Sequence, residues 1–257
     1  MRAACCEATV LRHEVIAEDI RLLTVLWPDR EHIPHAGQFF TLRAWGADEA
    51  PFLSRPISVH KWDAETQTVE FLYAVVGEGT RKLTALMPGD SFQLTGPMGN
   101  GFDVPEIVSK YKKIAVVGGG IGTAPMYQLT RELAAAGVKP DVFFGFRDAP
   151  YCMEEYREIA NLVKVSTDTG AVGFHGFVTQ LYDPADYDVV LVCGPTVMMR
   201  NAARLCAEKG TPCFVSMEKK MACGIGACLG CTCETKGGEG KSVCKNGPVF
   251  DATEVFF

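Results

Sequence analysis

Four cysteines near the end of the chain constrain its fold and chemistry more than any other feature. Cys223, Cys228, Cys231 and Cys244 follow the order C-x4-C-x2-C, then a longer gap, then C. This is the plant-type [2Fe–2S] spacing, in which a tight loop supplies three thiolates and a distant residue supplies the fourth. Glycines in the loop let the backbone come close and aim N–H groups at the sulfurs. The spacing therefore predicts a [2Fe–2S] cluster held by these four thiolates.

Two other uses of these cysteines fit less well. A structural zinc site usually pairs two short Cys-x-x-Cys knuckles, and this segment has only the one between Cys228 and Cys231. A disulfide framework is typical of small secreted chains, whereas this chain has 257 residues. Cys233, a fifth thiol in the segment, is predicted to pack beside the site without being a ligand.

Composition favours a globular protein from a reducing compartment. The net charge of -6 argues against a nucleic-acid partner, because phosphate backbones bind basic faces. The cysteines outside the cluster segment show no framework spacing, which fits free thiols. The N-terminus becomes charged at Glu7 before an apolar signal region develops, and no apolar run reaches the ~20 residues of a membrane span. The expected location is cytoplasmic, without a membrane partner.

The order of local patterns predicts three domains. Residues 1–104 are expected to form an antiparallel β-barrel, residues 105–212 an α/β domain with a parallel sheet, and residues 213–257 a small cluster domain. The predicted barrel elements are strands Ala8–Val15, Ile20–Trp27, Gln38–Ala44, Ile57–Trp62, Thr68–Val75 and Ser91–Thr95 and helix Thr80–Leu86. The predicted α/β elements are strands Lys113–Val117, Asp141–Phe146, Val163–Ser166, Asp188–Cys193 and Pro212–Met217, with helices ending at Ala136, over Met153–Leu162, near Phe177–Leu181 and over Val197–Lys209.

Two motifs in the barrel suit a dinucleotide. Arg55-Pro56-Ile57-Ser58 stands at a strand entry, where a fixed Arg can meet a phosphate or ribose and Ser58 offers a hydroxyl to a flat heterocycle. Gly77-Glu78-Gly79-Thr80 opens a helix, whose N–H groups and dipole attract a pyrophosphate. Each motif also has a purely structural interpretation: an ordinary strand entry, and a plain helix N-cap by Thr80.

Two motifs in the α/β domain suit a nucleotide at the carboxyl ends of strands. Val116–Pro125 follows a buried strand and precedes a helix, as a nucleotide loop requires. It departs from the G-x-G-x-x-G fingerprint, because residue 123 is Thr and a Pro falls in the first helical turn, where Pro is tolerated. Cys193-Gly194 ends a later strand, so Cys193 either lines a cofactor crevice or is a buried inert thiol.

Taken together and in this order, the four motifs and the cluster segment resemble the ferredoxin–NADP⁺ reductase superfamily. Within it, they look like the electron-transfer subunits of NAD-dependent (B-type) dihydroorotate dehydrogenases. The resemblance covers essentially the whole chain and is most specific in EKKMACGIGACLGCTC and VCKNGPVF. It implies an FAD-binding antiparallel barrel, an NAD-binding α/β domain and a C-terminal [2Fe–2S] domain.

The resemblance also implies a role for each matching residue. Ser58 and Cys193 would lie at the reacting atoms, Ser58 near the reactive flavin nitrogen and Cys193 facing the nicotinamide. FAD would be held by Arg55, Pro56, Ile57 and Ser58, with Leu72, Tyr73 and Ala74 beside its ring and Gly79 and Thr80 at its pyrophosphate. NAD would be held by Gly119, Gly120, Ile121, Gly122, Thr123, Cys193 and Gly194, and the cluster by Cys223, Cys228, Cys231 and Cys244.

One position departs from the superfamily pattern. The residue after the Arg-x pair is commonly an aromatic that stacks on the flavin, whereas here it is Ile57. Stacking would then fall to another residue, such as Tyr73.

The sequence does not decide between NAD and NADP. Arg147, which follows a predicted strand, is placed where it could contact the 2′-phosphate of NADP.

The family implies a redox relay. A partner subunit carrying FMN would oxidise dihydroorotate to orotate in pyrimidine biosynthesis, in a heterotetramer of two heterodimers. Electrons would pass through the cluster and FAD to NAD⁺, because nicotinamide exchanges two electrons as hydride, a cluster exchanges them singly, and FAD does both. The chain shows no general acid–base constellation of its own, which also places substrate oxidation on another polypeptide.

Two alternatives stay open from the sequence. The first is a subunit of another NAD(P)H-linked complex on the same architecture, such as a ferredoxin:NADP⁺ oxidoreductase, a sulfhydrogenase or an anaerobic sulfite reductase. The second is a redox-sensing module that uses the cluster as a switch. A sensor needs no intact nicotinamide site, so NADH oxidation would count against it.

Overall fold

The computed structural model describes residues 3–257 and contains two large sheets and one small hairpin. Among these residues, no helix is long and apolar enough to cross a membrane. The prediction for the N-terminal segment falls in part on Met1 and Arg2, which lie outside the described residues.

The first sheet is antiparallel throughout and forms a half-barrel. Its strands are β1 Ala4–Ala17, β2 Ile20–Leu26, β3 Phe39–Arg43, β4 Arg55–Ser58, β5 Lys61–Asp63, β6 Thr68–Ala74 and β7 Ser91–Met98, and helix α1 Glu78–Leu83 joins β6 to β7. The strand order is β4-β3-β7-β1-β2-β6-β5. Alternate residues fill an apolar interior around Trp27, Phe40 and Phe71, whose rings meet edge to face. The opposite face of β3, β4 and β6 is called here the outer face.

Two predicted elements of this sheet are wrong in detail. The single strand predicted at Ile57–Trp62 is two strands, because the chain passes from one edge of the sheet to the other at Val59 and His60. The Val59 N–H donates to the carbonyl oxygen of Gln38, which directly precedes β3, at 2.9 Å. The His60 N–H donates to the carbonyl oxygen of Glu70 on β6, also at 2.9 Å.

The helix predicted at Thr80–Leu86 begins at Glu78 and ends at Leu83. Gly77 is its N-cap, since Thr80 sits one turn inside the helix and its Oγ1 accepts the Gly77 N–H at 3.1 Å. The chain continues to Leu86 as turns, in which N–H groups bond to carbonyls three residues back.

The second sheet is parallel except for one edge. Its strands are β8 Ile114–Gly119, β9 Asp141–Phe146, β10 Leu162–Thr167, β11 Phe174–His175, β12 Val189–Cys193, β13 Cys213–Ser216 and, after the hairpin β14 Thr232–Glu234 and β15 Gly240–Ser242, the antiparallel edge strand β16 Val249–Asp251. The helices are α2 Val104–Lys110, α3 Ala124–Ala135, α4 Met153–Ile159, α5 Thr196–Lys209 and α6 Val243–Asn246.

The order of this sheet is β11-β10-β9-β8-β12-β13-β16. The chain builds outward from β8 on one side and then returns to lay β12 and β13 on the other, so the topological switch point lies between β8 and β12. The helix predicted near Phe177–Leu181 is a single 3-10 turn, Val178–Gln180. A second such turn begins at Pro184, whose missing N–H and ring prevent one continuous helix.

Both ends of the cluster segment belong to the second sheet. β13 pairs in parallel with β12, as predicted for Pro212–Met217, and β16 then adds an edge strand that the sequence analysis did not predict. The cluster segment, residues 217–248, therefore leaves and re-enters one sheet. The division of the chain after residues 104 and 212 stays a prediction.

Polar contacts to α3 join the two sheets. Gln128 Oε1 accepts the Trp62 N–H at 2.9 Å, and Arg131 Nη1 donates to Trp62 O at 2.8 Å. Glu132 Oε1 accepts the Ala36 N–H at 2.9 Å and a bond from Gln128 Nε2 at 2.9 Å. Because Gln128 is buried, these bonds fix the half-barrel against α3, the helix that follows the predicted phosphate-binding loop Gly119–Thr123, called here the nucleotide loop.

Candidate functional site

The cluster segment folds its backbone around the four predicted ligands. The Cys228 N–H points to Cys223 Sγ at 3.4 Å, and the Cys244 N–H points to Cys231 Sγ at 3.4 Å. The Gly226 N–H donates to Cys244 Sγ at 3.1 Å, with Gly226 at φ +78°. Backbone N–H groups aimed at sulfurs are the arrangement that stabilises thiolates and bound iron–sulfur clusters.

The four thiols lie as two pairs. Cys223 contacts Cys228, and Cys231 contacts Cys244. Partial burial opposes ionisation of Cys223, but N–H groups of Cys228 and Ile225 outweigh it and lower its pKa to about 6. Burial, aided by the bond with Cys231, raises the pKa of Cys244 to about 12.

This arrangement fits a two-iron cluster better than a single ion. A [2Fe–2S] cluster takes four thiolates, two on each iron, which matches two pairs of sulfurs. Cys233 is buried and its thiol points to Lys241 O at 3.4 Å, so its position agrees with a packed neighbour.

The predicted flavin residues meet on the outer face and at one end of the half-barrel. Cross-strand pairing places Ser58 opposite Phe39 and Pro56 opposite Thr41. Leu72 alternates with the inward-facing Phe71 on β6 and therefore points outward as well. Ser58 and Leu72 thus share the face on which the resemblance places the flavin ring.

Arg55 connects the two barrel motifs. A Cβ on Gly79 would lie 2.8 Å from Arg55 Cδ, so only glycine lets this side chain cross the start of α1. Arg55 Nη2 donates to Leu53 O at 2.5 Å, while its buried Nε has no partner among the described residues. A buried guanidinium N–H without an acceptor is costly. Its position beside Gly79 and Thr80 suits a bound anion such as a pyrophosphate.

Two other predicted flavin residues point inward. Ile57 packs against the interior of the half-barrel. Tyr73 is also inside, with its hydroxyl hydrogen bonded to His13 Nε2 at 2.9 Å. The suggestion that the Tyr73 ring stacks on a flavin is therefore wrong for this conformation, and only the Tyr73 backbone is available beside the ring.

His60 connects the strand of the flavin motif to the helix that follows the nucleotide loop. It follows Ser58 by two residues, and its Nδ1 is 2.8 Å from Ala124 O at the start of α3. Its ring stacks on Tyr127 at a centroid distance of 4.9 Å. Burial lowers the pKa of His60 to about 4, so the ring is neutral near pH 7.

The nucleotide loop packs against the end of β12. A Cβ on Gly122 would lie 2.5 Å from Gly194 Cα and 2.6 Å from Cys193 O, so the two predicted motifs meet backbone to backbone. A Cβ on Gly119 would lie 2.5 Å from Met198 Sδ. Strands β8 and β12 flank the switch point, where ligands of open α/β sheets bind.

Cys193 is fully buried at this point. Burial raises the pKa of its thiol, and the nearby Glu218 carboxylate adds to the effect. The thiol is therefore neutral near pH 7 and is not poised as a nucleophile or base. Glu218 lies two residues after the end of β13 and is a neighbour that the sequence analysis did not single out.

A cavity of about 600 Å³ opens beside the nucleotide loop. It is lined by the predicted Gly119 and Gly120, by Arg147, and by Ser166, which the sequence analysis missed. Ser166 Oγ is buried without a hydrogen-bond partner among the described residues, which makes it a candidate contact for a ligand in the cavity. A serine ending a parallel strand gives no pattern by itself, so only the assembled sheet reveals it.

The part of the cluster segment that carries Cys223, Cys228 and Cys231, called here the cluster loop, lies against the outer face of the half-barrel. A Cβ on Gly224 would lie 2.8 Å from Met98 Sδ and 3.7 Å from Thr41 Cγ2, and Thr41 is paired with Pro56 of the flavin motif. The structure thus brings the cluster ligands, the barrel motifs and the nucleotide loop into one region.

Curated relatives match most of the chain in sequence. The dihydroorotate dehydrogenase B (NAD(+)) electron transfer subunit of Clostridium acetobutylicum is 47% identical over 219 residues, 85% of each chain. That of Clostridium perfringens is 42% identical over 247 residues, 94% of this chain and 96% of the relative. The chain belongs to this family of electron transfer subunits. It is therefore a subunit of an NAD-dependent oxidoreductase complex.

Two further comparisons agree. Residues 218–256 match the family described as the iron-sulfur cluster binding domain of dihydroorotate dehydrogenase B, and this range contains all four predicted ligands. A chain from the solved NADH-dependent reduced ferredoxin-NADP oxidoreductase, described for flavin-based electron bifurcation, superposes with a TM-score of 0.86 at 28% identity. The superposition covers 97% of this chain and 89% of that one, which confirms the predicted fold class.

Proposed function

We propose that the chain carries electrons from an FMN-containing catalytic subunit, through a [2Fe–2S] cluster and FAD, to NAD⁺. The single observation that carries the proposal is the meeting of four motifs and the cluster loop in one region. Oxidation of dihydroorotate to orotate releases two electrons and two protons. NAD⁺ takes two electrons and one proton as hydride, and the second proton goes to solvent.

The barrel residues would bind and orient FAD, which supplies the exchange between hydride and single electrons when bound. Arg55 would direct its unpartnered Nε–H to the pyrophosphate over Gly79 and Thr80. Ser58 would offer its hydroxyl on the outer face, and Leu72 would exclude water there.

The second sheet would hold NAD with the loop Gly119–Thr123 at its phosphates. Gly122 permits the close approach of Cys193 and Gly194, which would face the nicotinamide. The neutral Cys193 thiol would act by packing rather than by proton transfer. The cavity beyond the loop, with Ser166 and Arg147, would take the adenosine end.

The exposed side of the cluster loop would face the partner. Ile225 and Leu229 are 60% and 65% exposed beside the exposed Cys228. Lys219 and Lys220, which precede these residues in the cluster segment, are also exposed, in a chain of net charge -6. A partner surface with an apolar centre and acidic edge suits this side of the loop. We propose a heterotetramer of two heterodimers, and a cytoplasmic location in keeping with eleven cysteines that form no disulfide among residues 3–257.

The deciding experiment is dihydroorotate-dependent NAD⁺ reduction. The purified chain is assayed alone and then mixed with the FMN subunit from the same source, and activity is expected only in the mixture. FAD and a [2Fe–2S] spectrum should be found on this chain.

Another outcome would reassign the partner. If the mixture stays inactive while the chain oxidises NADH with an artificial acceptor, the proposed FAD and NAD sites are supported and the proposed dihydroorotate-oxidising partner is wrong. If NADH is not oxidised by any acceptor, the relay itself is wrong.

A further inference from the structure

A cross-strand row on the outer face leads from the flavin motif to the cluster. Ser58 of β4 is opposite Phe39 of β3, and Phe39 is opposite Met98, the last residue of β7. Residues opposite one another on antiparallel strands share a face of the sheet. Phe39 and Met98 are buried in one apolar core with the cluster ligands Cys231 and Cys244. The row therefore joins the two predicted redox sites through packed side chains.

Met98 supports the first arm of the cluster loop. Gly224, directly after the ligand Cys223, has φ +71°, and a Cβ there would lie 2.8 Å from Met98 Sδ. Met98 is only 5% exposed, so it has little freedom to withdraw. An unbranched, polarizable thioether fills such an irregular contact well. The loop backbone therefore rests directly on this side chain.

The residues after Met98 hold the second arm. The Asn100 N–H donates to Gly247 O at 2.6 Å, and Asn100 Nδ2 donates to Lys245 O at 3.0 Å. Lys245 directly follows the ligand Cys244. Met98–Asn100, called here the junction segment, thus contacts the cluster segment next to both its first and its last ligand.

We propose that the junction segment fixes the separation between the cluster ligands and the flavin motif and keeps water out of the gap, with Met98 and Asn100 as positioning residues. This inference rests on the proposed function. Electron transfer slows steeply as separation grows, and cluster potential follows hydrogen bonding and solvent exposure at the sulfurs. Neither residue is a ligand of the cluster or the flavin, so each acts through the backbone that it supports.

The test compares Met98→Ala, Met98→Leu and Asn100→Ala with the wild-type protein loaded with FAD and cluster. NADH is mixed with each protein without oxygen, and flavin reduction and the following cluster reduction are timed separately. Met98→Ala and Asn100→Ala should slow cluster reduction about tenfold, leaving flavin reduction and the KM for NADH unchanged. Both should shift the cluster midpoint potential in an EPR-monitored titration. Met98→Leu, which keeps most of the volume, should restore the wild-type rate.

Gln93→Ala serves as the matched control, because Gln93 is an exposed residue of the same strand β7. Wild-type transfer rates and potentials in both Met98→Ala and Asn100→Ala would overturn the inference. If Met98→Ala cannot retain its cluster, Asn100→Ala decides, since Asn100 is exposed and its substitution removes only side-chain bonds. A wild-type protein that transfers no electrons from flavin to cluster would instead contradict the proposed function.

Discussion

The cluster segment and the predicted flavin site, called here the flavin groove, are built in opposite ways. The cluster segment draws all four predicted ligands from one short stretch, and their side chains are the site. The flavin groove draws on β4, β6 and α1, which are separated in the chain and joined by the sheet order. Its defining contacts are an Arg55 side chain over the Gly79 backbone and the outward faces of strands.

This difference decides what each region tolerates. A site of side-chain ligands fails when one ligand is lost, because its neighbours cannot replace the missing thiolate. A site that is formed by backbone atoms and by the shape of the surrounding strands loses binding when an added atom displaces the chain, even though no ligating side chain is lost. The two kinds of site therefore respond to different substitutions.

The largest expected effect is loss of a ligand. Cys231→Ser should abolish the cluster and electron transfer to the partner while NADH still reduces the flavin. Cys233→Ser, a matched change at a buried thiol nearby, should retain the cluster, because Cys233 points to Lys241 O. Iron content and EPR of the reduced proteins measure both. A cluster that survives in Cys231→Ser, or is lost in Cys233→Ser, would contradict the ligand assignment.

The next effect comes from one added methyl group. In Gly122→Ala the new Cβ would lie 2.5 Å from Gly194 Cα, so the nucleotide loop must shift. Such a displacement should raise the KM for NADH about 100-fold, with FAD and cluster contents unchanged. Gly237→Ala, where the nearest atom is 3.9 Å away, is the control. Equal KM values in the two variants would place NAD elsewhere.

A smaller effect is expected at Arg55. Arg55→Ala removes a charge-assisted donor to the pyrophosphate and should weaken FAD binding about 10- to 100-fold. Fluorescence titration of FAD into the apoprotein measures the affinity. Lys82→Ala, which breaks an exposed ion pair between α1 and Glu49, should bind FAD as the wild type does. Matching affinities in both variants would remove Arg55 from the flavin site.

The smallest effect concerns the contact between the two sheets. The pKa of His60 is about 4 in the folded chain and near 6.5 when unfolded. Between these values the unfolded chain binds a proton that the folded chain does not, so stability is present above pH 6.5 and is lost on acidification. The free energy of unfolding should fall by about 1 kcal/mol through His60 between pH 7.5 and pH 5.5. Urea titrations should show this contribution missing in His60→Gln. An identical pH dependence in both proteins would show that His60 is not buried as described.

The sequence predicted best what depends on local chemistry. The bounds of β9, Asp141–Phe146, match the prediction. It failed where distant parts decide the conformation: the break between β4 and β5 depends on bonds to Gln38 and Glu70 across the sheet. The unpartnered hydroxyl of Ser166 appears only when the second sheet assembles. The junction segment likewise acts through contacts to residues that are far away in the sequence.

The pairing of β13 with β16 has a consequence for how the protein acquires iron. Both ends of the cluster segment are paired side by side at a sheet edge, so strand pairing offsets part of the entropy of closing this loop. A donor of iron and sulfide therefore encounters thiols on a tethered loop with fixed ends instead of on a free tail. The same anchoring limits how far the cluster ligands can move, so a partner subunit has to dock close to the loop.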